Sequence, residues 1–246
     1  MTSAQDTFIS HLVELRDRLI RSLVAIGLVF VCLFPFASDI YDFVARPLMH
    51  ALPEGTRMIA TGVAAPFFIP MKITMVVALL IALPVVLYQI WAFVAPGLYS
   101  HEKKLVLPLI VSSTVLFIAG MAFCYFFVFG VVFSFIYKIA PKSIAVAPDI
   151  ENYLNFVLGM FLAFGITFEV PIVVIVLVRM GLVSIAKLKQ FRPYFVVGAF
   201  VVAAVITPPD VLSQIMLAVP LCILYEAGII VSRFVTPTGQ AAKTES

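Results

Sequence analysis

The chain has 246 residues, of which 63% are hydrophobic and only 12% are charged. A soluble domain carries roughly a quarter charged residues, and the apolar residues here form blocks close to the ~20 residues that cross a bilayer. Composition therefore excludes a soluble protein and predicts a polytopic membrane protein, while the net charge of +3 is too small to indicate nucleic-acid binding.

Six transmembrane helices are predicted in one integral membrane domain, residues 1–236, followed by a polar tail, 237–246. The spans are 19–37, 68–94, 105–137, 152–178, 193–207 and 211–232. With six spans both termini lie on the same side, and that side carries eleven of the Lys and Arg residues against five on the other. Because short cytoplasmic loops concentrate Lys and Arg, we expect both termini in the cytoplasm.

The predicted spans differ in length. At 1.5 Å per residue the third would run about 50 Å, longer than a ~30 Å hydrocarbon core, so it must tilt or project from the bilayer. The fifth would reach only about 22 Å and is joined to the sixth by a short turn. The sequence thus predicts an uneven bundle with short fifth and sixth helices and a locally thinned bilayer.

The amphipathic segment HLVELRDRLIRS, residues 11–22, leads into the first helix. Its Leu12, Leu15 and Leu19 share one stripe, and Glu14 and Arg18 are spaced i, i+4. Such a pair can simply form along the helix, worth a few tenths of a kcal/mol. This pairing and a binding role for Glu14 are equally open on the sequence alone.

The stretch WAFVAPGLYSHEKK, residues 91–104, ends the second span with a Pro-Gly break and contains three aromatic residues. It places one carboxylate, Glu102, at the predicted membrane surface, immediately before Lys103 and Lys104. Basic residues are common at such a border, whereas an acidic one suggests a binding partner of positive charge.

Glu169, in FGITFEVP, lies deep in the fourth span. Pro171 cannot donate to the carbonyl of Thr167, so a helix kink is expected there. An ionisable residue inside the membrane is by default a functional hypothesis. The alternative is a protonated, hydrogen-bonded glutamic acid that holds helices together.

The segment TPPDVLSQ, residues 207–214, is predicted to be a tight outer turn in which the prolines end one helix and Asp210 caps the next. Gln214, one turn further, is an uncharged polar residue that faces lipid or a partner. Glu226 is expected level with residue 193, as a snorkelling or salt-bridged surface group.

Enzymatic sites are not predicted. The sequence has no zinc-protease helix, no Gly-x-Ser-x-Gly nucleophile elbow and no phosphate-binding glycine loop. The three histidines all fall in predicted extramembrane segments, and the three cysteines show no paired spacing. We therefore predict no catalytic residue, no metal and no cofactor. A secondary solute transporter is the alternative class, although the repeats and broken helices typical of it are not evident.

Several segments together resemble one family. HLVELRDRL, FVAPGLYSHEK, FGITFEVP and TPPDVLSQ with LYE, in this order, resemble TatC, the multispanning receptor of the twin-arginine protein translocase. The resemblance implies a concave, glove-like bundle in the bacterial cytoplasmic (inner) membrane. It also implies recognition of signal peptides with two consecutive arginines on folded cargo, an oligomeric complex with TatB and TatA, and transport driven by the proton-motive force without nucleotide.

The resemblance also implies site residues. Glu14, Arg16, Phe93 and Glu102 match the signal-recognition site. A guanidinium is permanently charged and fits a carboxylate as a planar fork, so two adjacent arginines call for two carboxylates, here Glu14 and Glu102. Phe93 would offer its ring face to the signal peptide, and the lysines after Glu102 would hold the loop against anionic lipid.

Three further positions match residues that matter in the family. Pro47, in the first outer loop, and Asp210 match positions important for function. Glu169 matches the polar residue of the concave face.

Overall fold

The computed structural model describes residues 2–51, 58–94, 103–139, 147–207 and 210–235. Ten α-helices form over these residues, and they are numbered here in chain order. A 3₁₀ turn (Phe34–Phe36) joins the first two helices, and a π turn (Cys124–Val128) joins the fifth to the sixth. The helices are α1 (Thr2–Leu33), α2 (Ala37–Ala51), α3 (Ala65–Ile81), α4 (Leu83–Val94), α5 (Lys103–Phe123), α6 (Phe129–Ile139), α7 (Ile150–Phe168), α8 (Val170–Arg179), α9 (Ile185–Ile206) and α10 (Val211–Val235).

Five helical segments within the described ranges are long and apolar enough to cross a membrane. Helices α3 and α4 meet at an angle of 60° and make a sixth if they are counted as one broken span. Pro84 lies in the first turn of α4 and cannot donate to the carbonyl of Leu80, which explains the break. No β-strand forms in the described part of the chain. The prediction of an all-α, six-span membrane protein is confirmed.

Helix α9 begins well before the span predicted from residue 193. Ser184 caps it, accepting the N–H of Lys187 at 3.2 Å, and the helix has 22 residues, about 33 Å at 1.5 Å per residue. These first turns were predicted to be a loop because they carry Lys187, Lys189 and Arg192. Lys and Arg are, however, good helix formers. Only the apolar part of the helix is as short as predicted.

The fourth span is broken where Pro171 predicts it. Helix α7 ends at Phe168, Glu169 forms the junction, and α8 starts at Val170 with the proline in its first turn. The third span, in contrast, runs from Lys103 to Ile139 through the π turn.

By packing, the chain divides into two compact units, and the first comprises residues 1–43 and 67–114. In this unit α1 packs against α4. Trp91 of α4 is buried, and its indole N–H donates to the hydroxyl of Ser113 at 3.1 Å. A buried indole N–H needs such a partner, so this bond fixes α4 on α5.

The second unit comprises residues 44–66 and 115–246. Near the loop between α8 and α9 it has a core shared by α8, α9 and α10, built from Val174, Val178, Leu188, Tyr225 and Ile229. The phenol of Tyr225 donates to the carbonyl of Leu188 at 2.9 Å. Its ring stacks on Phe195 with centroids 3.8 Å apart, so α9 and α10 are held in one register.

An extended pairing in the second unit ties residues 58–61 to the start of α7. The amide of Ile59 donates to Pro148, and the amide of Ile150 donates back to Ile59, at 3.0 and 2.9 Å. The hydroxyl of Thr61 donates to Asp149 at 2.8 Å, and Asp149 also caps α7. These bonds, led by that of the hydroxyl, lower the pKa of Asp149 below its ordinary value. We name this pairing the outer clasp.

Candidate functional site

The face where α1 meets α4 carries a group of polar and aromatic side chains. His11, Glu14 and Arg18 come from α1 and share one face because they are three, four and seven residues apart. Gln89 and Phe93, one turn apart on α4, complete the group. We name these five residues the α1–α4 cluster.

A guanidinium lies at the centre of the cluster. Nε and Nη2 of Arg18 both donate to Oε1 of Glu14, at 2.9 and 2.6 Å. Nη1 donates to the side-chain oxygen of Gln89 at 3.3 Å, and this amide is buried. The Arg18 side chain is 21% exposed and that of Glu14 is 45% exposed. Pairing of Glu14 along its own helix, one of the two alternatives from the sequence, is therefore present and extends to α4.

Phe93 joins the cluster through His11. Their rings stack with centroids 4.4 Å apart and an interplanar angle of 24°. Nδ1 of His11 lies 4.0 Å from the other carboxylate oxygen of Glu14, a contact that is ionic only when the imidazole is protonated. Glu14 and Phe93, which the resemblance assigned to one site, are thus connected through His11, which contacts both.

Of the other two residues assigned to this site, the structure describes only Arg16. Arg16 is exposed and pairs with its neighbour Asp17, with Nη2 at 2.9 Å from Oδ1. Glu102 lies outside the described residues, and its role stays a prediction. Lys103, with Lys104, forms the start of α5.

The intramembrane polar residues take two different positions. Glu169 lies at the junction of α7 and α8, and both of its carboxylate oxygens are shielded from solvent. The side-chain amide of Gln214 donates to the carbonyl of Phe200 at 3.1 Å, which links α10 to α9. Gln214 thus makes a contact within the chain and does not only face lipid or a partner.

Asp210 and Pro47, the two positions expected on the outer side, both lie in segments that make contacts within the chain. Oδ1 of Asp210 accepts the amide of Ser213 at 2.7 Å, which confirms that Asp210 caps the last helix. Pro47, which was predicted from the sequence to lie in a loop, lies inside α2 and brings no amide donor to the helix. One turn earlier, the carbonyl of Val44 accepts the phenol of Tyr153 at 3.0 Å, so this irregular part of α2 is held by α7.

Sequence reasoning missed Gln89, and it placed Glu226 correctly. Gln89 is the one carboxamide in an otherwise apolar and aromatic helix, LPVVLYQIWAFV, and that contrast was a usable signal. Glu226 accepts a bond of 2.6 Å from Nη2 of Arg192, as the salt-bridged alternative predicted. Within the described residues, no three His, Cys, Asp or Glu side chains are grouped so as to hold a metal ion.

Comparison with known proteins gives the family. The model of the family described as Sec-independent protein translocase protein (TatC) matches residues 10–220. The chain belongs to the TatC family.

Relatives and solved structures agree with this membership. A TatC protein of Haemophilus influenzae is 52% identical over 229 residues, 93% of this chain and 90% of that protein. The TatC protein of Escherichia coli K12 is 50% identical over 240 residues, 97% of this chain and 93% of that protein. A crystal structure of the twin arginine translocase receptor TatC shares 40% of its sequence with this chain, with a TM-score of 0.79. The match covers 92% of this chain and all of that one.

Membership of the TatC family defines the chain in broad terms. It is a multi-pass membrane protein and a component of a protein translocase, and so works together with other components of that translocase. The family is one of protein-translocase components. The sequence left a solute transporter open as the alternative, but these relatives are protein-translocase proteins.

Proposed function

We propose that the chain is the signal-peptide receptor of a twin-arginine translocase. It lies in the bacterial cytoplasmic membrane with both termini in the cytoplasm. There it binds the Arg-Arg motif of folded cargo and takes part in its export, driven by the proton-motive force. Glu14, Phe93 and Glu102 are the residues proposed to meet the signal peptide, with Arg16 beside them.

The observation that carries this proposal is the pairing of the Arg18 guanidinium with the carboxylate of Glu14. The α1–α4 cluster places a carboxylate and a carboxamide oxygen around one arginine head group, and His11, 4.0 Å from that carboxylate, stacks on the ring of Phe93. An ammonium group offers no planar fork and cannot donate to the carboxylate and the carboxamide in the same geometry. The cluster therefore has the chemistry to prefer arginine over lysine, which is what a twin-arginine receptor requires.

A second carboxylate is needed for the second arginine. Glu102 is the acidic residue that the sequence places on the same cytoplasmic surface, and it matches the family position for signal recognition. Removing either carboxylate leaves one guanidinium of the signal short of its partner. Hydrogen bonds to charged groups contribute about 1.5–3 kcal/mol, so each loss should weaken binding roughly ten-fold or more.

Equilibrium binding of a fluorescent signal peptide to the full chain in lipid nanodiscs tests the proposal. Glu14→Ala and Glu102→Ala should each weaken Arg-Arg peptide binding roughly ten-fold or more, and the double variant should lose far more. A Lys-Lys peptide should bind poorly to the unaltered chain. Glu226→Gln is the matched control, since this carboxylate pairs with Arg192 on α9. Unchanged Arg-Arg affinity in both alanine variants would refute the site.

The proposed partners are TatB and TatA, and α9 is the proposed docking helix for TatB. Its outer half exposes Val202, Val205 and Ile206. Phe195, at first sight an equally good contact, stacks on Tyr225 and is thereby engaged within the chain. Cysteines at Val202 and Ile206 should crosslink to the membrane span of TatB, and efficient crosslinks only from α5 would contradict this placement.

A further inference from the structure

Arg18 occupies the place in which an arginine of the signal peptide is proposed to bind. We infer that Arg18 is a resident competitor: its guanidinium holds Glu14 in the resting state and must leave before a signal arginine can take its place. This inference rests on the proposed function and assigns to Arg18 control over the affinity of the site.

The geometry of the contact supports exclusion. Three nitrogens of Arg18 are engaged, two on Oε1 of Glu14 and one on Gln89. A signal guanidinium that pairs with Glu14 in bidentate fashion needs both carboxylate oxygens, and Oε1 already accepts two N–H groups from Arg18. It would also bring a like charge within a few ångströms of Arg18, which is unfavourable. Glu14 can therefore serve Arg18 or the signal arginine, and not both in this geometry.

The contact is also weak enough to be exchanged. Glu14 is 45% exposed, and an exposed i, i+4 pair contributes little because solvent screens it and both side chains lose freedom. The hydrogen bond from Arg18 to Gln89 adds stabilisation that an ordinary surface pair lacks, because the amide of Gln89 is buried and belongs to another helix. A site that is free only part of the time shows an affinity lowered by that fraction. The free energy of an exposed pair of this kind corresponds to an affinity for the signal peptide that is lowered about two- to five-fold.

This role predicts an unusual pattern of specificity. Displacing Arg18 is the same step for every signal that uses Glu14. Removing Arg18 should therefore tighten Arg-Arg and Lys-Lys peptides by the same factor and leave their ratio unchanged. If Arg18 instead contacted the signal directly, its loss would weaken binding and change that ratio.

The test measures the dissociation constants of Arg-Arg and Lys-Lys signal peptides for the full chain in nanodiscs. Arg18→Lys keeps the charge but loses the fork and should tighten both peptides about two-fold. Arg18→Met removes the charge and should tighten them by up to about five-fold. Arg21→Met, one turn further on α1, controls for the loss of one positive charge and should change neither constant by more than about two-fold.

A further variant separates this role from a structural one. If Arg18 acts through Glu14, Arg18→Lys should have no effect on affinity in a Glu14→Gln background. Weaker or unchanged binding in Arg18→Lys, or the same tightening in both backgrounds, would overturn the inference. The proposed function would survive that result as long as Glu14→Gln alone weakens Arg-Arg binding. If Glu14→Ala and Glu102→Ala both leave that binding intact, the proposed function itself fails.

Discussion

Gly120 lies where α5 crosses α7, and replacing it with alanine should destabilise the protein. A Cβ at this position would lie 2.5 Å from the carbonyl oxygen of Phe164 and 2.8 Å from Cγ of Phe168. The nearer atom belongs to the backbone and cannot turn away, so the two helices would have to separate. Gly159, in the middle of α7, is the matched control, because a Cβ there would meet nothing within 4 Å.

The expected magnitude combines two effects of opposite sign. Overpacking of a close contact costs about 1–3 kcal/mol, and an obstacle in the backbone favours the upper end. Alanine gains about 1 kcal/mol over glycine as a helix former. Gly120→Ala should therefore lose about 2 kcal/mol, or about 4–8 °C in apparent Tm. Gly159→Ala should keep or slightly raise the Tm.

The buried thiol of Cys124, one turn after Gly120, provides the assay. It is 0% exposed, so a thiol-reactive dye should label it only when the α5–α7 region opens on heating. In a background with Cys32→Ser and Cys222→Ser, the dye reports this thiol alone. An apparent Tm for Gly120→Ala equal to that of Gly159→Ala would refute the close packing of these helices.

Three further predictions concern single contacts. Ser113→Ala should destabilise the protein by about 0.6–1.7 kcal/mol, because the indole of Trp91 loses its acceptor. The Tm in the same assay should fall accordingly, and an unchanged Tm would show that the bond is not formed. The lowered pKa of Asp149 means that the outer clasp is stabilised above the ordinary pKa of about 3.9 and loses this stabilisation as the pH falls through the lowered value. The Tm of Asp149→Asn, followed by circular dichroism, should lie below that of the unaltered chain at pH 7, and the difference should shrink as the pH falls below the ordinary pKa; equal Tm values at pH 7 would contradict this role of Asp149. Glu169→Gln should reduce export of folded cargo only mildly and Glu169→Lys severely, since the lysine adds a charge at a buried position; equal loss of signal binding in both would mean that Glu169 belongs to the binding site.

Local chemistry explains what the sequence could predict of the fold. Pro171 removes a helix donor whatever surrounds it, so the break at Glu169 followed from the residues alone. The start of α9 was missed because three charged residues made a helix look like a loop, although Ser184 before them is a good N-cap. Helix ends at a membrane surface combine polar composition with helical geometry, and composition alone misplaces them.

The candidate site was predictable only in part, for a different reason. Glu14 and Phe93 were found because each stands in a segment that resembles the family. The link between them depends on the packing of α1 against α4, which brings together residues more than seventy positions apart, such as Arg18 and Gln89. Neither periodicity nor spacing along the chain contains that information. The pair of Glu14 and Arg18 follows from their i, i+4 spacing, but the bond from Arg18 to Gln89 is visible only in the folded protein.

The central claim is that folded cargo with an Arg-Arg signal meets this chain at the α1–α4 cluster, on the cytoplasmic side. The most direct measurement places a photo-crosslinking amino acid at Phe93 in inverted membrane vesicles and adds a folded Arg-Arg cargo. The proposed receptor should crosslink to that cargo and should lose the crosslink when the signal carries Lys-Lys. The same probe at Val63, which is fully exposed and expected on the outer side, should give none. Absence of the crosslink from Phe93, or equal crosslinks with Arg-Arg and Lys-Lys cargo, would contradict the account.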